Sequence, residues 1–417
     1  MTADLAGGVG LACPPGGLTQ QVLDALDAAG VRWCLTRAVK GGGDVDVLVH
    51  RADRSRAYAV LTAQGLWRLR AYGRGSHAFF LGRDVESGGW VEFDLVTDLT
   101  FGRCLELRTR AAEACLARRR RVAGTWLLAA DDEFWSLLLH CLFDKGGFAR
   151  RHTDRLTRLP AVASGALVRT LPPGVTEAGL DELVRTGRWD ALVAAAPATR
   201  RAWWRADPVG VAAAVIRARG LRLVERPLQA PSRRGAAVAL VGPDGCGKST
   251  VAARVAGTFP LPVRCVYMGL WADGELDGLL RHAARVVRRP FTAWRRYATG
   301  LRHRALGRLV IFDRYTYDAL LSPRGSWRRL KRLYFLALSR SCPRPDLVIL
   351  LDAPGRVMHA RSGEYDAAHL ERERREYAAV AERLPDVVRV NADRPVDAVV
   401  AEVTGHIWTH YRARSSR

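Results

Sequence analysis

Residues 236–259, AAVALVGPDGCGKSTVAARVAGTF, decide the fold of the second half of the chain. The stretch begins with an apolar run of strand length and then turns through a segment rich in glycine. It continues with apolar residues at helical spacing. An apolar run that does not alternate with polar residues is typical of a strand buried on both faces. The stretch therefore predicts a buried strand, a tight loop and a helix, in that order.

The loop has the pattern G-x-x-x-x-G-K-S, which places a lysine and a hydroxyl group at the start of the helix. Glycines let backbone N–H groups converge on phosphate oxygens, and the helix N-terminus adds a partial positive charge. Lys248 can reach the β- and γ-phosphates of a nucleotide, and the Ser249 hydroxyl can bind Mg²⁺. The predicted cofactors are therefore ATP and Mg²⁺. The predicted ATP-binding residues are Gly242, Asp244, Gly245, Cys246, Gly247, Lys248, Ser249 and Thr250.

Four further apolar runs follow the loop and alternate with segments of helical spacing. They are VRCVYMG (263–269), RLVIFD (308–313), DLVILLD (346–352) and VVRVNA (387–392). Buried runs that are separated by helices indicate a parallel sheet of the doubly wound type, with helices on both faces. The sequence therefore predicts an α/β fold with a parallel five-stranded sheet over residues 236–417.

The sequence RLVIFDRY places two charged residues directly at the end of the strand at 308–313. Asp313 stands where a carboxylate can help to order the metal, and Arg314 suits an enzyme that must hold a second anionic group. A salt-bridged pair that only caps the strand is the structural alternative. The chain has no guanine-binding N-K-x-D motif, which argues against a GTPase.

These motifs together resemble the thymidylate kinase family, within the nucleoside monophosphate kinases. The matching stretches are GPDGCGKST (242–250), FDRY (312–315), PDLVILLDAP (345–354), ARSGEYDAAHLERERREY (360–377) and VVRVNADRPVDAVVAEV (387–403). They cover about residues 236–405 in the family's order. The resemblance implies a P-loop kinase with a lid over the phosphates, which transfers a phosphoryl group from Mg-ATP to a nucleoside monophosphate, thymidylate first.

The resemblance also implies roles for single residues. It places Asp244 near the acceptor sugar, Arg314 at the acceptor phosphate, and Asp313 beside the metal or the substrate. Because the loop contains no arginine, one from the segment 360–377 would neutralise charge on the transferring phosphoryl group; a solvated helix with ion pairs is the alternative for these arginines. The predicted catalytic residues are Lys248, Asp313, Arg314, Arg361 and Arg372, with Arg374 and Arg375 as further lid candidates. The predicted acceptor-binding residues are Asp244, Arg296, Arg314 and Tyr315, and the predicted metal ligands are Ser249 and Asp313.

Two departures from the family keep other functions open. The segment before FDRY carries many arginines, among which Arg296 is one candidate, and TYDALLSP follows the DRY tripeptide. A kinase for a sugar or another small metabolite therefore remains an alternative. A regulatory protein that binds ATP without catalysis is the alternative from another class.

The N-terminal region predicts a small α+β domain over residues 1–105. Strands at 31–36, 45–49, 78–81 and 90–96 follow a helix at 18–30, with another helix at 54–64. Asp44 and Asp46 in GGGDVDVLV point to one side of a strand, and Asp94 lies on a later strand, so the three could hold divalent ions. This arrangement resembles the nucleotidyltransferase fold over about residues 17–105, although Thr36 and three glycines replace the usual Gly-Ser dipeptide. Turn residues are the alternative for Asp44 and Asp46, and Glu92 and Asp98 are predicted to be exposed.

The region between these two parts is predicted to be helical over residues 106–222. Its clearest helix is DDEFWSLLLHCLFDKG (131–146), which Asp131 or Asp132 could cap. Residues 223–235 collect proline, serine, arginine and glycine and predict a linker. The predicted division is thus 1–105, 106–222, the linker 223–235, and the kinase-like domain 236–417.

Composition restricts the partners and the location. The 417 residues carry a formal charge of +23, but the basic residues are scattered, and only four of the 65 are lysines. Scattered charge argues against nucleic acid as the main partner, so the predicted partner is a nucleotide or another small phosphate acceptor. The sequence contains no apolar run long enough to span a bilayer and no secretory signal pattern, and it has no C-x-x-C pair. We therefore expect a cytoplasmic protein without a membrane span or a structural metal; the oligomeric state is left open.

Overall fold

The computed structural model describes residues 16–37, 44–69, 74–160, 165–224, 235–269, 279–321 and 328–415. The chain forms two compact units, Met1–Leu228 and Gln229–Arg417. Most of the predicted linker at 223–235, and the three glycines at 41–43, lie outside the described residues.

The first unit combines a mixed β-sheet with helices. Its helices are α1 (Gly17–Ala28), α2 (Arg54–Ala63), α3 (Ala112–Ala117), α4 (Ala130–Leu139), α5 (Arg150–Leu156), α6 (Pro173–Thr176), α7 (Leu180–Arg185), α8 (Trp189–Ala206) and α9 (Pro208–Leu223). Its strands are β1 (Trp33–Leu35), β2 (Val45–Val49), β3 (Trp67–Arg68), β4 (His77–Arg83), β5 (Trp90–Val96), β6 (Thr100–Phe101), β7 (Leu107–Arg108), β8 (Arg120–Val122) and β9 (Thr125–Leu127). Seven of these strands form one sheet in the order β3-β4-β5-β2-β1-β9-β8, and β6 pairs with β7.

This sheet continues past the predicted domain boundary at residue 105. Strand β9 pairs in parallel with β1, where Leu35 lies opposite Leu127, and β8 pairs with β9 at the sheet edge. Core residues also cross the boundary, because Cys34 and Leu48 belong to the same buried cluster as Leu138 of α4. A boundary at 105 is therefore too early for the sheet.

The first turn of α4 shows a second difference from the sequence prediction. No side chain caps this helix, which begins at Ala130. Asp131 and Asp132 instead accept hydrogen bonds of 2.6 and 2.9 Å from the two terminal nitrogens of Arg118. The predicted aspartate cap is wrong because an arginine distant in sequence binds both carboxylates.

The second unit is built around a fully parallel sheet, which confirms the predicted α/β class and the five predicted strands. The strands are β10 (Ala237–Val241), β11 (Val263–Tyr267), β12 (Leu309–Asp313), β13 (Leu347–Asp352) and β14 (Val387–Asn391). Their order is β11-β12-β10-β13-β14. The helices are α10 (Lys248–Thr258), α11 (Leu279–Ala305), α12 (Arg328–Ser339), α13 (Gly355–Ser362), α14 (Ala367–Ala381) and α15 (Val396–Ser415).

The strand order brings two distant motifs to one edge of this sheet. Strands β10 and β12 are neighbours, and Leu240 lies opposite Asp313 in their register. The Arg314 N–H donates a 3.0 Å hydrogen bond to the Leu240 carbonyl oxygen. Because the carboxyl ends of parallel strands meet at one edge, the loop after β10 lies beside Asp313 and Arg314.

Cysteine chemistry and membrane topology were also predicted from the sequence. Seven cysteines lie in the described ranges and all are free thiols. Among the helices of these ranges, none is both long and apolar enough to cross a bilayer.

Candidate active site

The loop between β10 and α10 presents backbone rather than side chains. Gly247 precedes α10 with φ +97°, no side chain caps the helix there, and a Cβ added at Gly247 would find open space. Gly245 has φ +80°, and a Cβ at this position would lie 2.4 Å from the Met358 carbonyl oxygen. Glycine is therefore required at Gly245 for space and at Gly247 for backbone conformation. The uncapped N-terminus of α10 can accept an anion directly.

Lys248 places a positive charge against this loop. Its side chain is 6% exposed. Its ammonium group donates hydrogen bonds of 2.9 and 2.7 Å to the carbonyl oxygens of Gly242 and Pro243. The Asp244 carboxylate lies 3.8 Å from the same nitrogen. The ammonium group is therefore held at the loop, where a phosphate bound by the helix N-terminus would meet it.

The Ser249 hydroxyl and the Asp313 carboxylate form the pair that the sequence predicted as metal ligands. Ser249 Oγ donates a 2.5 Å hydrogen bond to Asp313 Oδ2. Asp313 is buried, and its other oxygen, Oδ1, has no hydrogen-bond partner in the described part of the chain. A buried carboxylate oxygen without a partner calls for an explanation, and a bound cation is one. Hydroxyl and carboxylate oxygens are ligands that Mg²⁺ uses together with substrate phosphates, so the pair fits this ion.

Arg314 has an unusual backbone at the end of β12. Its φ is +67°, a left-handed value that costs a residue with a Cβ about 1–3 kcal/mol. Its guanidinium group forms an ion pair with Asp244 and lies 3.7 Å from Asp318 Oδ2. Burial acts to lower the pKa of Arg314, but the carboxylates of Asp244 and Asp318 outweigh burial and raise it. The guanidinium group therefore stays charged at the cavity edge.

Asp318 is a buried carboxyl group that the sequence analysis did not select. It accepts a 2.9 Å hydrogen bond from the Tyr377 hydroxyl of α14 at Oδ1. Burial raises the pKa of Asp318 to about 6, although the charges of Arg314 and Lys248 oppose the shift. Asp318 thus connects Arg314 to helix α14. Its only sequence signal was the departure TYDALLSP after the DRY tripeptide.

One cavity of about 680 Å³ is lined by the glycine loop, Lys248, Ser249 and Arg314, and its size is in the range of small-molecule sites. The lining residues are Asp244, Gly245, Cys246, Gly247, Lys248, Ser249, Thr250, Val251, Tyr267, Arg314, Arg361, Glu364, Ala392, Arg394, Val396 and Val399. Arg361 is the one predicted lid arginine on this wall, and it donates a 3.1 Å hydrogen bond to the Ala392 carbonyl oxygen. Tyr267, Glu364 and Arg394 were missed by the sequence analysis.

The remaining predicted lid arginines do not line the cavity. Arg372 is exposed on α14. Arg374 donates a 2.6 Å hydrogen bond to Asp352 Oδ1, and Arg375 lies 4.0 Å from Glu371. Ion pairs along a helix were the alternative for these residues, and Glu371 of the same helix pairs with Arg374 at 3.1 Å as well as with Arg375.

Two predicted acceptor-binding residues are also placed elsewhere. Tyr315 is buried, and its hydroxyl donates a hydrogen bond to the Pro343 carbonyl oxygen, so it belongs to the core. Arg296 donates a 2.7 Å hydrogen bond to the Gly269 carbonyl oxygen and lies over the ring of Tyr267, 5.4 Å from its centroid. Arg296 therefore packs against Tyr267, which lines the cavity. Tyr315 is a core residue and is not placed to bind an acceptor.

The first unit brings the predicted N-terminal carboxylates together. Asp46 of β2 lies opposite Asp94 of the parallel neighbour β5, and the exposed Asp44 is two residues before Asp46. Both central acids have basic partners. Arg37 forms an ion pair with Asp46, and His77 Nδ1 lies 2.7 Å from Asp94 Oδ2. Asp94 Oδ1 is buried with no hydrogen-bond partner among the described residues.

The electrostatics of this cluster follow from burial and like charge. Burial raises the pKa of Asp46; Arg37 opposes the rise and Asp94 adds to it. Burial and then the charge of Asp44 also raise the pKa of Glu92, which is half-buried rather than exposed as predicted. Asp98 is likewise only 13% exposed at its side chain. Within the described ranges, no three His, Cys, Asp or Glu side chains are arranged to hold a metal ion.

Comparison with known proteins adds no assignment to this geometry. No protein-family model matches the chain, and a search of curated proteins also finds no match. The functional conclusion therefore depends on the residues and distances given above.

Proposed function

We propose that the second unit is a Mg-ATP-dependent kinase, which transfers the γ-phosphoryl group to a small acceptor. The observation that carries this proposal is a single cavity lined by the glycine loop, Lys248, Ser249 and Arg314, with Asp313 bonded to the Ser249 hydroxyl. Phosphoryl transfer needs positioned charges more than covalent chemistry, and these are the groups that supply them.

The loop and Lys248 would bind the triphosphate. Backbone N–H groups at the start of α10 would donate to phosphate oxygens, and the Lys248 ammonium group would move from the loop carbonyls to the β- and γ-phosphates. Ser249 and Asp313 would hold Mg²⁺, which supplies charge neutralisation between the β- and γ-phosphates.

Residues on the other walls fit the ends of the nucleotide. Arg361 is placed to stabilise charge on the transferring phosphoryl group, because the loop itself supplies no arginine. Val396 and Val399 give the cavity an apolar wall, which a flat base can cover, and the Arg394 guanidinium group can stack on such a base. These contacts support ATP as the donor.

Arg314 is the proposed contact to an anionic acceptor. Its guanidinium group lines the cavity, and Asp244 fixes its position. Together with the family resemblance, these contacts support a nucleoside monophosphate, with thymidylate as the first candidate. Asp244 could bind a sugar hydroxyl through the carboxylate oxygen that faces away from Arg314.

Two observations favour a second candidate, a kinase for another small phosphorylated or sugar-like metabolite. Arg296 and Tyr315, which were expected to recognise the acceptor, instead bind the carbonyl oxygens of Gly269 and Pro343. Fewer groups are then left to recognise a nucleobase. A purely regulatory ATP-binding role is less well supported, because the Ser249–Asp313 pair and Arg361 serve transfer rather than binding alone.

For the first unit we propose only a nucleotidyltransferase-like scaffold. The mixed sheet and the opposed Asp46 and Asp94 support the resemblance. Because Arg37 and His77 each already contact one of the two carboxylates, no catalytic step is assigned to this unit.

An acceptor screen with ATP labelled at the γ-phosphate tests the kinase proposal. The full chain is incubated with Mg²⁺ and separate sets of nucleoside monophosphates, sugars and sugar phosphates, and labelled products are separated by chromatography. Transfer to thymidylate above other acceptors would support the first candidate, and transfer only to a sugar would support the second. Stoichiometric ATP binding without transfer to any acceptor would contradict the kinase proposal.

A further inference from the structure

Two helices of the second unit combine strong basic character with apolar residues. Neither α11 nor α12 contains an aspartate or a glutamate over its whole length. Helix α11 carries eight arginines, and α12 carries three arginines and a lysine. The chain as a whole contains 42 acidic residues, so an acid-free run of this length is a local feature of these helices.

Helix α11 has apolar residues on its buried face and on the exposed side next to it. Ala293, Tyr297 and Gly300 are buried and face the core. Phe291, Trp294 and Leu301 are 71%, 49% and 47% exposed and lie on the neighbouring side at spacings of three and seven residues, with the Trp294 ring centroid 5.8 Å from that of Tyr297. A helix that packs on one face is expected to be polar on the other. The exposed apolar side chains of α11 therefore extend past the face that packs on the core.

A row of arginines borders the exposed apolar face. Arg288, Arg295 and Arg302 are exposed and stand seven residues apart, each within about one turn of Phe291 or Leu301. None of the three forms an ion pair with a carboxylate in the described part of the chain. Their charges are therefore available to an anionic partner along the length of the face.

Helix α12 repeats this pattern close by. Leu330, Leu333 and Leu336 are 63%, 66% and 38% exposed, while Leu338 is buried in the same core cluster as Ala293 and Tyr297 of α11. Both helices pack on this cluster, since Tyr334 and Phe335 of α12 also contact it. The basic apolar surface is defined here by Arg288, Phe291, Trp294, Arg295, Leu301 and Arg302 of α11 and Leu330 and Leu333 of α12.

We propose that this basic apolar surface docks on a membrane that carries anionic phospholipids. Tryptophan, phenylalanine and leucine side chains can enter the boundary between headgroups and acyl chains, and arginines beside them can bind lipid phosphates. This combination of an apolar stripe and adjacent cations is the pattern of helices that lie in the plane of a bilayer. It requires no membrane-spanning helix. The proposal is independent of the kinase activity.

Charge complementarity argues against two other occupants. A second copy of the same surface would bring the arginine rows of two α11 helices close together, and like charges in contact are unfavourable. A nucleic acid would satisfy the arginines through its phosphates, but it offers no hydrocarbon layer to cover Leu301, Leu330 and Leu333. An anionic bilayer offers both kinds of contact at once.

Vesicle sedimentation with the full chain tests the proposal. The vesicles contain phosphatidylcholine alone or phosphatidylcholine with phosphatidylglycerol. We expect the chain to sediment with the anionic vesicles only. An apolar variant, Phe291→Ser with Trp294→Ser, should bind at least about tenfold more weakly. A charge variant, with Arg288, Arg295 and Arg302 each changed to Gln, should bind about a hundredfold more weakly.

The chain provides a matched control on α9 of the first unit. Val209 and Ile216 are 78% and 73% exposed, so Val209→Ser with Ile216→Ser removes similar apolar surface elsewhere and should leave vesicle binding unchanged. Circular dichroism and binding of a fluorescent ATP analogue would show that each variant is folded. Failure of the wild-type chain to bind anionic vesicles would overturn the proposal. Full vesicle binding by the apolar variant, with displacement by an RNA duplex, would instead identify a general polyanion surface.

Discussion

The glycine loop of the second unit and the carboxylate pair of the first unit differ in the partners of their acids. Asp313 is hydrogen-bonded to the neutral hydroxyl of Ser249, which lines a cavity. Asp46 and Asp94 also meet at neighbouring strands, but an arginine contacts one and a histidine contacts the other. Of these three acids, only Asp313 is bonded to a neutral group that lines a cavity.

This comparison shows that convergence of acids is not sufficient for a metal or nucleotide site. A carboxylate that already has a basic partner must lose that partner, or share it, before it can bind a cation. Asp313 avoids this cost, because it is bonded to the Ser249 hydroxyl, while Lys248 is held by backbone carbonyl oxygens and lies 3.8 Å from Asp244. The comparison therefore predicts chemistry in the second unit and none in the first.

Removal of the Lys248 ammonium group should have the largest effect. Lys248→Ala should lower kcat for phosphoryl transfer by at least about 10²–10³-fold, the loss typical of a positioned group that stabilises developing charge. The assay is transfer from labelled ATP to the best acceptor. The exposed Lys145 of the first unit provides the control, and Lys145→Ala should retain full activity. Near wild-type turnover by folded Lys248→Ala would remove the loop from the catalytic site.

The buried Asp318 should give the next largest effect, on stability rather than rate. Its pKa is raised from 3.8 to about 6, so between these values the folded state binds more protons than the unfolded state. The free energy of unfolding that Asp318 contributes should therefore fall as pH rises from about 4 to about 6, by roughly 3 kcal/mol at 1.4 kcal/mol per unit.

The measurement is chemical denaturation of wild type and Asp318→Asn at pH values across this window. The stability of wild type relative to the variant should decrease as the pH rises, because only the wild type loses a proton there. A difference that stays constant with pH would show that Asp318 is already ionised at low pH. It would also weaken the proposed connection from Arg314 to Tyr377.

Removal of Arg314 should separate acceptor use from ATP binding. Charge-assisted hydrogen bonds of this kind contribute about 1.5–3 kcal/mol, so Arg314→Ala should lower kcat/KM for the acceptor by roughly 10–150-fold. The Kd of ATP, measured by calorimetry, should change much less. The control is Arg254→Ala, which breaks the exposed ion pair with Asp397 and should affect neither quantity. Equal losses for acceptor and ATP would make Arg314 a structural partner of Asp244 and Asp318.

The sequence predicted those parts of the molecule that depend on contiguous residues. Five apolar runs predicted all five parallel strands, and the loop 242–250 predicted the backbone that surrounds Lys248. These features can be predicted from the local sequence, because the central strands are buried on both faces and each glycine is required by the turn that contains it. The pairing of Leu240 with Asp313 then follows from strand order.

Contacts between distant residues could not be predicted in this way. Tyr315 follows Arg314 directly, but its hydroxyl is hydrogen-bonded in the core to the carbonyl oxygen of Pro343. Asp131 and Asp132 fit a helix cap by sequence, but Arg118 binds both. Arg372 and Arg361 lie in one arginine-rich stretch, and only the turn from α13 to α14 decides which one reaches the cavity. Each outcome depends on a partner that local sequence does not specify.

The smallest effect is expected at the carboxylates of the first unit. In an Asp313→Asn background, which removes the proposed kinase ligand, Mg²⁺ or Mn²⁺ should leave the melting temperature of the full chain unchanged. An ion that binds only the folded state must raise stability, so the absence of a shift reports the absence of a site. The reason is that Arg37 and His77 already contact Asp46 and Asp94. If Mn²⁺ raises the melting temperature and a further Asp46→Asn change removes the rise, the acids of the first unit bind metal despite these partners. The ion would then displace Arg37 or His77 from its carboxylate. A function that uses the ion would have to be proposed for the first unit.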